Sequence, residues 1–118
     1  MDLPAVDKDP AFSPDGTQIA FERDGDIYKL TVGAGETAVT TGGAIDTDPN
    51  WSPDGTKIAF ASNEGYALAT DYDIYSVTGG GIGSQVTQVT DGTTVDERPA
   101  FSPDGTKIAF ERGATSTQ

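Results

Sequence analysis

Ten residues are written three times in this chain with almost no change: Phe12-Ser-Pro-Asp-Gly-Thr-Gln-Ile-Ala-Phe21, Trp51-Ser-Pro-Asp-Gly-Thr-Lys-Ile-Ala-Phe60 and Phe101-Ser-Pro-Asp-Gly-Thr-Lys-Ile-Ala-Phe110. Repetition at a long period marks a chain assembled from stacked copies of one small unit, none of which buries its own faces. The unit is longer than the decamer. Val6-Asp7, Ile45-Asp46 and Val95-Asp96 precede the copies, followed by Asp9-Pro10, Asp48-Pro49 and Arg98-Pro99. Downstream, Asp26-Ile-Tyr28 matches Asp73-Ile-Tyr75, and Ala38-Val-Thr40 matches Gln88-Val-Thr90. Phe12 and Trp51 are 39 positions apart, Trp51 and Phe101 are 50 apart, and insertions after Phe60 and after Tyr75 account for the difference.

Each unit reads as four short strands. The first lies around Phe12, Trp51 or Phe101, and the second covers Gln18–Glu22, Lys57–Ala61 or Lys107–Glu111. The third covers Asp26–Val32 or Asp73–Thr78, and the fourth Thr37–Thr41 or Gln85–Thr90. The second strand alternates Ile and Phe with Ala or polar residues, the period of a pleated sheet. Ser-Pro-Asp-Gly is a turn: Pro presets φ, Asp tolerates the next position, and Gly accepts the positive φ that follows. No window carries a sustained helical pattern. Four antiparallel strands in about 40 residues is the size of a propeller blade. A flat sandwich of short strands is the alternative, but it gives no reason for so long a period.

The pattern Asp-x-x-Pro, then [Phe/Trp]-Ser-Pro-Asp-Gly-Thr-x-Ile-Ala-Phe, then Asp-Ile-Tyr resembles the WD-like repeat of the TolB-like β-propeller family. The resemblance runs from about Val6 to Arg112. It implies an all-β segment: blade one at about 6–41, blade two at about 45–90, a half blade at about 95–112 and a polar tail at 113–118, together one domain. The family includes bacterial proteins and the propellers of prolyl-oligopeptidase-type peptidases. It implies a periplasmic or other extracytoplasmic setting, although Met1-Asp-Leu-Pro has neither the charge nor the apolar core of a signal peptide. Fold resemblance alone does not carry function.

Composition narrows the chemistry. The chain has 118 residues, 19 acidic and 7 basic, for a net charge of −12. Such a surface repels nucleic acid and anionic membranes and attracts basic partners or cations. No apolar run is long enough to span a bilayer. With no histidine and no cysteine, a Ser-His-Asp triad, a thiol nucleophile and a His-based zinc site are excluded within this sequence. The Gly-x-Ser-x-Gly elbow of the peptidase relatives is absent too. The paired carboxylates Asp24/Asp26 and Asp71/Asp73 read as turn residues rather than as an acid and a base, because nothing splits their environments. The expectation is a non-catalytic protein.

Propeller topology sorts the loops onto two faces. The Ser-Pro-Asp-Gly turns share one face; the turns between second and third strands and the starts of the first strands share the other. That second face collects 12 of the 19 acidic residues: Asp7, Asp9, Glu22, Asp24, Asp26, Asp46, Asp48, Glu64, Asp71, Asp73, Asp96 and Glu97. Asp24, Asp26, Glu64, Tyr66, Asp71, Tyr72 and Asp73 are the expected contact residues for a protein or basic peptide partner. Asp7, Asp9, Asp46, Asp48, Asp96 and Glu97 begin the inner strands. They are the candidates for a cation in the axial channel, which the resemblance allows and for which calcium suits hard oxygen ligands. No other cofactor is expected. The competing reading of Asp7, Asp46 and Asp96 is structural: a carboxylate accepting backbone N–H bonds at the start of each inner strand. A third functional reading is the gating propeller of a serine peptidase.

Closed propellers need four to eight blades, and this sequence supplies two and a half. Its apolar faces and strand edges therefore call for further blades, in cis or from other copies of the chain. The half blade, lacking third and fourth strands, is expected to add little stability.

Overall fold

The Ser-Pro-Asp-Gly turns are closed hydrogen-bond networks, which explains why Ser and Thr recur beside Pro and Gly. Ser13 Oγ donates to Asp15 Oδ1 at 2.8 Å, and Thr17 donates to the same oxygen through its N–H at 3.0 Å and its Oγ1 at 2.8 Å. The Gln18 N–H donates to Ser13 Oγ at 3.0 Å, and the Gly16 N–H to the Ser13 carbonyl at 2.9 Å. The same bonds recur around Asp54 and Asp104. Gly16, Gly55 and Gly105 leave the turns at φ +74°, +74° and +75°, the left-handed conformation glycine takes without a steric penalty.

The computed structural model describes residues 6–64, 71–78, 86–92 and 94–115. They form β1 (Asp7–Phe12), β2 (Gln18–Arg23), β3 (Asp26–Thr31), β4 (Gly35–Ala38), β5 (Asp46–Trp51), β6 (Lys57–Ser62), β7 (Asp73–Thr78), β8 (Val86–Gln88), β9 (Thr94–Phe101) and β10 (Ile108–Thr115). Strands β1–β4 make one antiparallel four-stranded sheet and β5–β8 a second; β9 and β10 pair as a two-stranded sheet. This is the expected all-β arc of two blades and a half blade, and among the described residues it is open.

Two boundaries differ from expectation. The fourth strand begins earlier, at Gly35, because the chain reverses at once after Thr31, with the Ala34 N–H on the Thr31 carbonyl at 2.9 Å. Val39-Thr40 then closes the blade: both N–H groups reach the Ile27 carbonyl, and the Ile27 N–H donates to Thr40 Oγ1 at 2.8 Å. Val89-Thr90 does the same to Ile74. In the half blade, β10 runs past Arg112 into the expected tail, because β9 begins at Thr94 and its backbone pairs with Thr115.

Each inner strand carries a bulge at its Pro. Asp9-Pro10, Asp48-Pro49 and Arg98-Pro99 each place two residues opposite one, and the residue before Pro has φ +55°, +56° or +53°. Asp tolerates this left-handed conformation better than Arg does.

Blade stacking is directional. Trp51, Ile58, Phe60 and Val77 of blade two join Ala20, Ile27 and Val39 of blade one in a single core. An aromatic face of one blade thus meets an alanine-lined face of the one before it. The Trp51 Nε1–H crosses the joint to the Ala11 carbonyl at 3.0 Å. The half blade covers blade two in the same manner: β9 lies against β5, β6 and β7, and Ala59, Ala61 and Ile74 are fully buried. This packing argues against the expectation that the half blade adds little stability, because β9 lies over that face of blade two. Among the described residues no further blade covers the aromatic face of blade one, and Phe12 is 68% exposed where Trp51 is 6%.

Candidate functional site

The loop face between blades one and two is built by a two-residue turn. Arg23 pairs with Asp26, and Asp24-Gly25 turns the chain with φ +53° and +85°, the geometry whose twist matches the flanking strands. A Cβ on Gly25 would meet the Ala44 carbonyl and Ile45 Cα at 3.7 Å. The Gly25 carbonyl accepts the Asp46 N–H at 2.8 Å. The turn thus rests on the start of blade two and holds Asp24 exposed and Asp26 half-buried next to Asp46.

The aspartate at or near the start of each inner strand (Asp7, Asp46 or Asp96) faces residue 23, 62 or 112 across the ladder. In blade one Asp7 makes two bonds to Arg23, at 2.6 and 2.8 Å. In the half blade the buried Asp96 makes two to Arg112, at 2.7 and 2.9 Å. In both cases the arginine holds the carboxyl below its ordinary range, with hydrogen bonding the main cause. These carboxylates therefore accept bonds from side chains, not from the backbone N–H groups expected of them. Blade two has Ser62 in the arginine position. Asp46 is buried with hydrogen bonds from Ser62 and Thr40; burial, then the nearby Glu64, pushes its pKa up.

Asp26 shares that environment. Burial raises its pKa, and the charges of Asp46 and Asp24 add to the effect. Among the described residues its buried Oδ1 has no hydrogen-bond partner. The ion pairs of Lys8, Arg23, Arg98 and Arg112 do not reach Asp24, Asp26, Asp46 or Glu64. Among the described residues, four carboxylates thus lie at one blade joint with no ion pair to a cation.

The other expected contact residues divide. Glu64 is exposed and Tyr72 half-buried. Asp71 is buried, with one oxygen lacking a partner among the described residues. Asp73 is fully buried and accepts from Thr90 Oγ1 and Gln88 Nε2, both at 3.3 Å, which ties the third strand to the end of the fourth. Tyr66 lies outside the described residues. Alignment of the three repeats points to Asp46 as part of this site through one signal, a serine where the other two repeats carry arginine.

The axial set does not converge. Asp9 accepts from Thr47 Oγ1 at 2.9 Å, and Asp48 accepts the Arg98 N–H at 3.3 Å. Asp48 is raised by burial and by Asp9. Glu97 lies 3.9 Å from Arg98, whose guanidinium also meets Glu111 at 2.7 Å. With Pro10, Pro49 and Pro99, these bulges line a shallow open groove. Among the described residues no three carboxylates form a group able to hold a metal ion. Arginine, serine and threonine already occupy these oxygens, so the set does not fit calcium.

Neither the family models nor the curated proteins yield a match. Solved structures do. A protein described as TolB from Agrobacterium tumefaciens is 28% identical over 98% of this chain and 41% of its own, with a TM-score of 0.78. TolB from Acinetobacter baumannii is 26% identical over 100% of this chain and 29% of its own, also with a TM-score of 0.78. The tricorn protease, at 21% identity over 87% of this chain and 10% of its own and a TM-score of 0.70, shares the fold. The chain shares the β-propeller fold of these structures and is similar to part of TolB, and it spans less than half the length of each of them.

Proposed function

We propose that this TolB-like propeller segment is a non-catalytic interaction module that binds a basic peptide or protein segment at the loop face between blades one and two. The observation that carries the reading is the cluster of Asp24, Asp26, Asp46 and Glu64, which has no cation among the described residues. A lysine or arginine from a partner would relieve their mutual repulsion and satisfy the open oxygen of Asp26. Asp24 and Glu64 are the exposed members that it would meet first, and Tyr72 offers half-buried aromatic surface nearby. The TolB likeness supports an extracytoplasmic setting.

The test is fluorescence anisotropy with a lysine-rich peptide against the chain and its Asp24→Lys, Glu64→Lys double variant. Binding should weaken steeply as salt rises, since the screening length is only about 10 Å at 0.1 M, and should vanish in the variant. Affinity that ignores both salt and charge reversal would rule out this face as the site.

A further inference from the structure

We infer that Asp24-Gly25 is a site of covalent modification, where the aspartate isomerises to an isoaspartyl residue that an isoaspartyl methyltransferase accepts as substrate. The sequence holds five Asp-Gly pairs: Asp15-Gly16, Asp24-Gly25, Asp54-Gly55, Asp91-Gly92 and Asp104-Gly105. Such pairs suit this chemistry because glycine has no Cβ to shield its amide nitrogen. The glycine nitrogen attacks the aspartate Cγ. A C–N bond forms, the Cγ–OH bond breaks, and the hydroxyl leaves with the amide proton as water. The resulting succinimide then takes up one water at either carbonyl. Opening at the side-chain carbonyl returns aspartate. Opening at the main-chain carbonyl leaves the chain running through Cβ and Cγ, with the α-carboxylate free.

The fold protects three of these pairs and leaves Asp24-Gly25 open. In the Ser-Pro-Asp-Gly turns both reacting groups are engaged. Oδ1 of Asp15, Asp54 and Asp104 accepts from a serine hydroxyl and from the N–H and hydroxyl of a threonine, at 2.7–3.1 Å. The attacking N–H of Gly16, Gly55 and Gly105 donates to the Ser13, Ser52 and Ser102 carbonyls at 2.9 Å. The bonds to the carboxylates hold Asp54 and Asp104 at a pKa of about 2. That depresses the neutral acid, whose hydroxyl leaves most readily, by about 60-fold against an ordinary aspartate. Asp24 has none of these restraints. Among the described residues its carboxyl accepts no hydrogen bond and the Gly25 N–H donates none, because the bonds of a two-residue turn belong to the flanking pair, here Arg23 and Asp26. Asp24 is exposed, so water reaches the succinimide, and its φ of +53° is a conformation that disfavours an L-residue. The turn is tied to blade two by the Asp46 N–H on the Gly25 carbonyl at 2.8 Å. Gly92 of the fifth pair also has a partner. Isomerisation lengthens the turn by one main-chain carbon and takes the Gly25 carbonyl out of register with Asp46, so it alters the joint between the blades.

The test is to age the full chain in mildly acidic buffer and follow it by two readouts. Peptide mapping with electron-transfer dissociation separates isoaspartate from aspartate at each Asp-Gly pair. An isoaspartyl methyltransferase with a radiolabelled sulfonium donor counts the free α-carboxylates, which take the methyl group while the donor departs as a thioether. Isoaspartate should accumulate at Asp24 at least about tenfold faster than at Asp15, Asp54 and Asp104, whose hydrogen bonds must break first. The same ageing in denaturing urea should bring these pairs to similar rates, which isolates the fold as the cause. Asp24→Glu keeps the charge but closes a larger ring far less readily, and should remove most of the methyl acceptance. Asp24 reacting no faster than the turn aspartates, faster isomerisation at Asp91 than at Asp24, an order of rates unchanged by urea, or undiminished methylation of Asp24→Glu would each overturn the inference.

Discussion

Phe12, Trp51 and Phe101 occupy one position of the repeat, so truncating each to alanine measures blade stacking with the chemistry nearly constant. Trp51 is 6% exposed, belongs to the inter-blade core and bonds the Ala11 carbonyl. Burial of an indole removes about 150–250 Å² from water, and at about 25 cal/mol/Å² this is roughly 4–6 kcal/mol. Measured losses for such truncations are about 3–5 kcal/mol. That is a large share of the total stability of a domain, about 5–15 kcal/mol. Trp51→Phe keeps the ring that the other two repeats use, and should cost about 2 kcal/mol through the lost hydrogen bond and smaller surface. Phe101, half-buried against blade two, should cost about 2 kcal/mol as alanine. Phe12, 68% exposed, should cost about 1 kcal/mol or less. Urea unfolding followed by far-UV circular dichroism suits the series, because Trp51 is the only tryptophan. With a slope of about 2 kcal/mol/M, the Trp51→Ala midpoint should fall by roughly 2 M and that of Phe12→Ala by at most about 0.5 M. Equal shifts for Phe12→Ala and Trp51→Ala would refute the reasoning, and would mean that the aromatic face of blade one is covered in solution.

Other outcomes follow from the charges and the backbone. Asp26, Asp46 and Asp48 have folded pKa values above the ordinary 3.8, so their ionisation favours unfolding: stability should fall as pH rises from about 4 through their raised values. Asp46→Asn should flatten that slope in a pH series of urea midpoints. Asp54 and Asp104 are lowered to about 2 by the Ser and Thr of their turns; their support is complete above 3.8 and should disappear as pH falls through about 2, so Asp54→Ala should remove part of the acid transition. Arg98 holds φ +53° before Pro99, where Asn is easier, and Arg98→Asn should raise stability by about 0.5–1 kcal/mol, read as a higher melting temperature. Deleting 94–115 should lower the melting temperature and expose the Ala59, Ala61 and Ile74 face to an apolar-surface dye; an unchanged melt would show that β9 is not the lid of blade two.

The repeat by itself determined the blade, its four strands, its turns and the sorting of loops between two faces. Those properties are local: Pro and Gly dihedrals, a two-residue pleat and a long period are written in neighbouring residues. What the sequence left undecided was which carboxylates face solvent. Asp7, Asp46 and Asp96 look alike in the repeats, yet two are held by arginines and one by Ser62 and Thr40. Asp24 and Asp71 look alike as the first members of two Asp-x-Asp pairs, yet one is exposed and the other buried. The bulges that place Asp9, Asp48 and Arg98 in left-handed backbone were also invisible beforehand, since a non-glycine residue before Pro reads as extended chain. Burial and ion pairing depend on what the neighbouring blade brings to the joint, and that is decided by packing between residues roughly 40 positions apart.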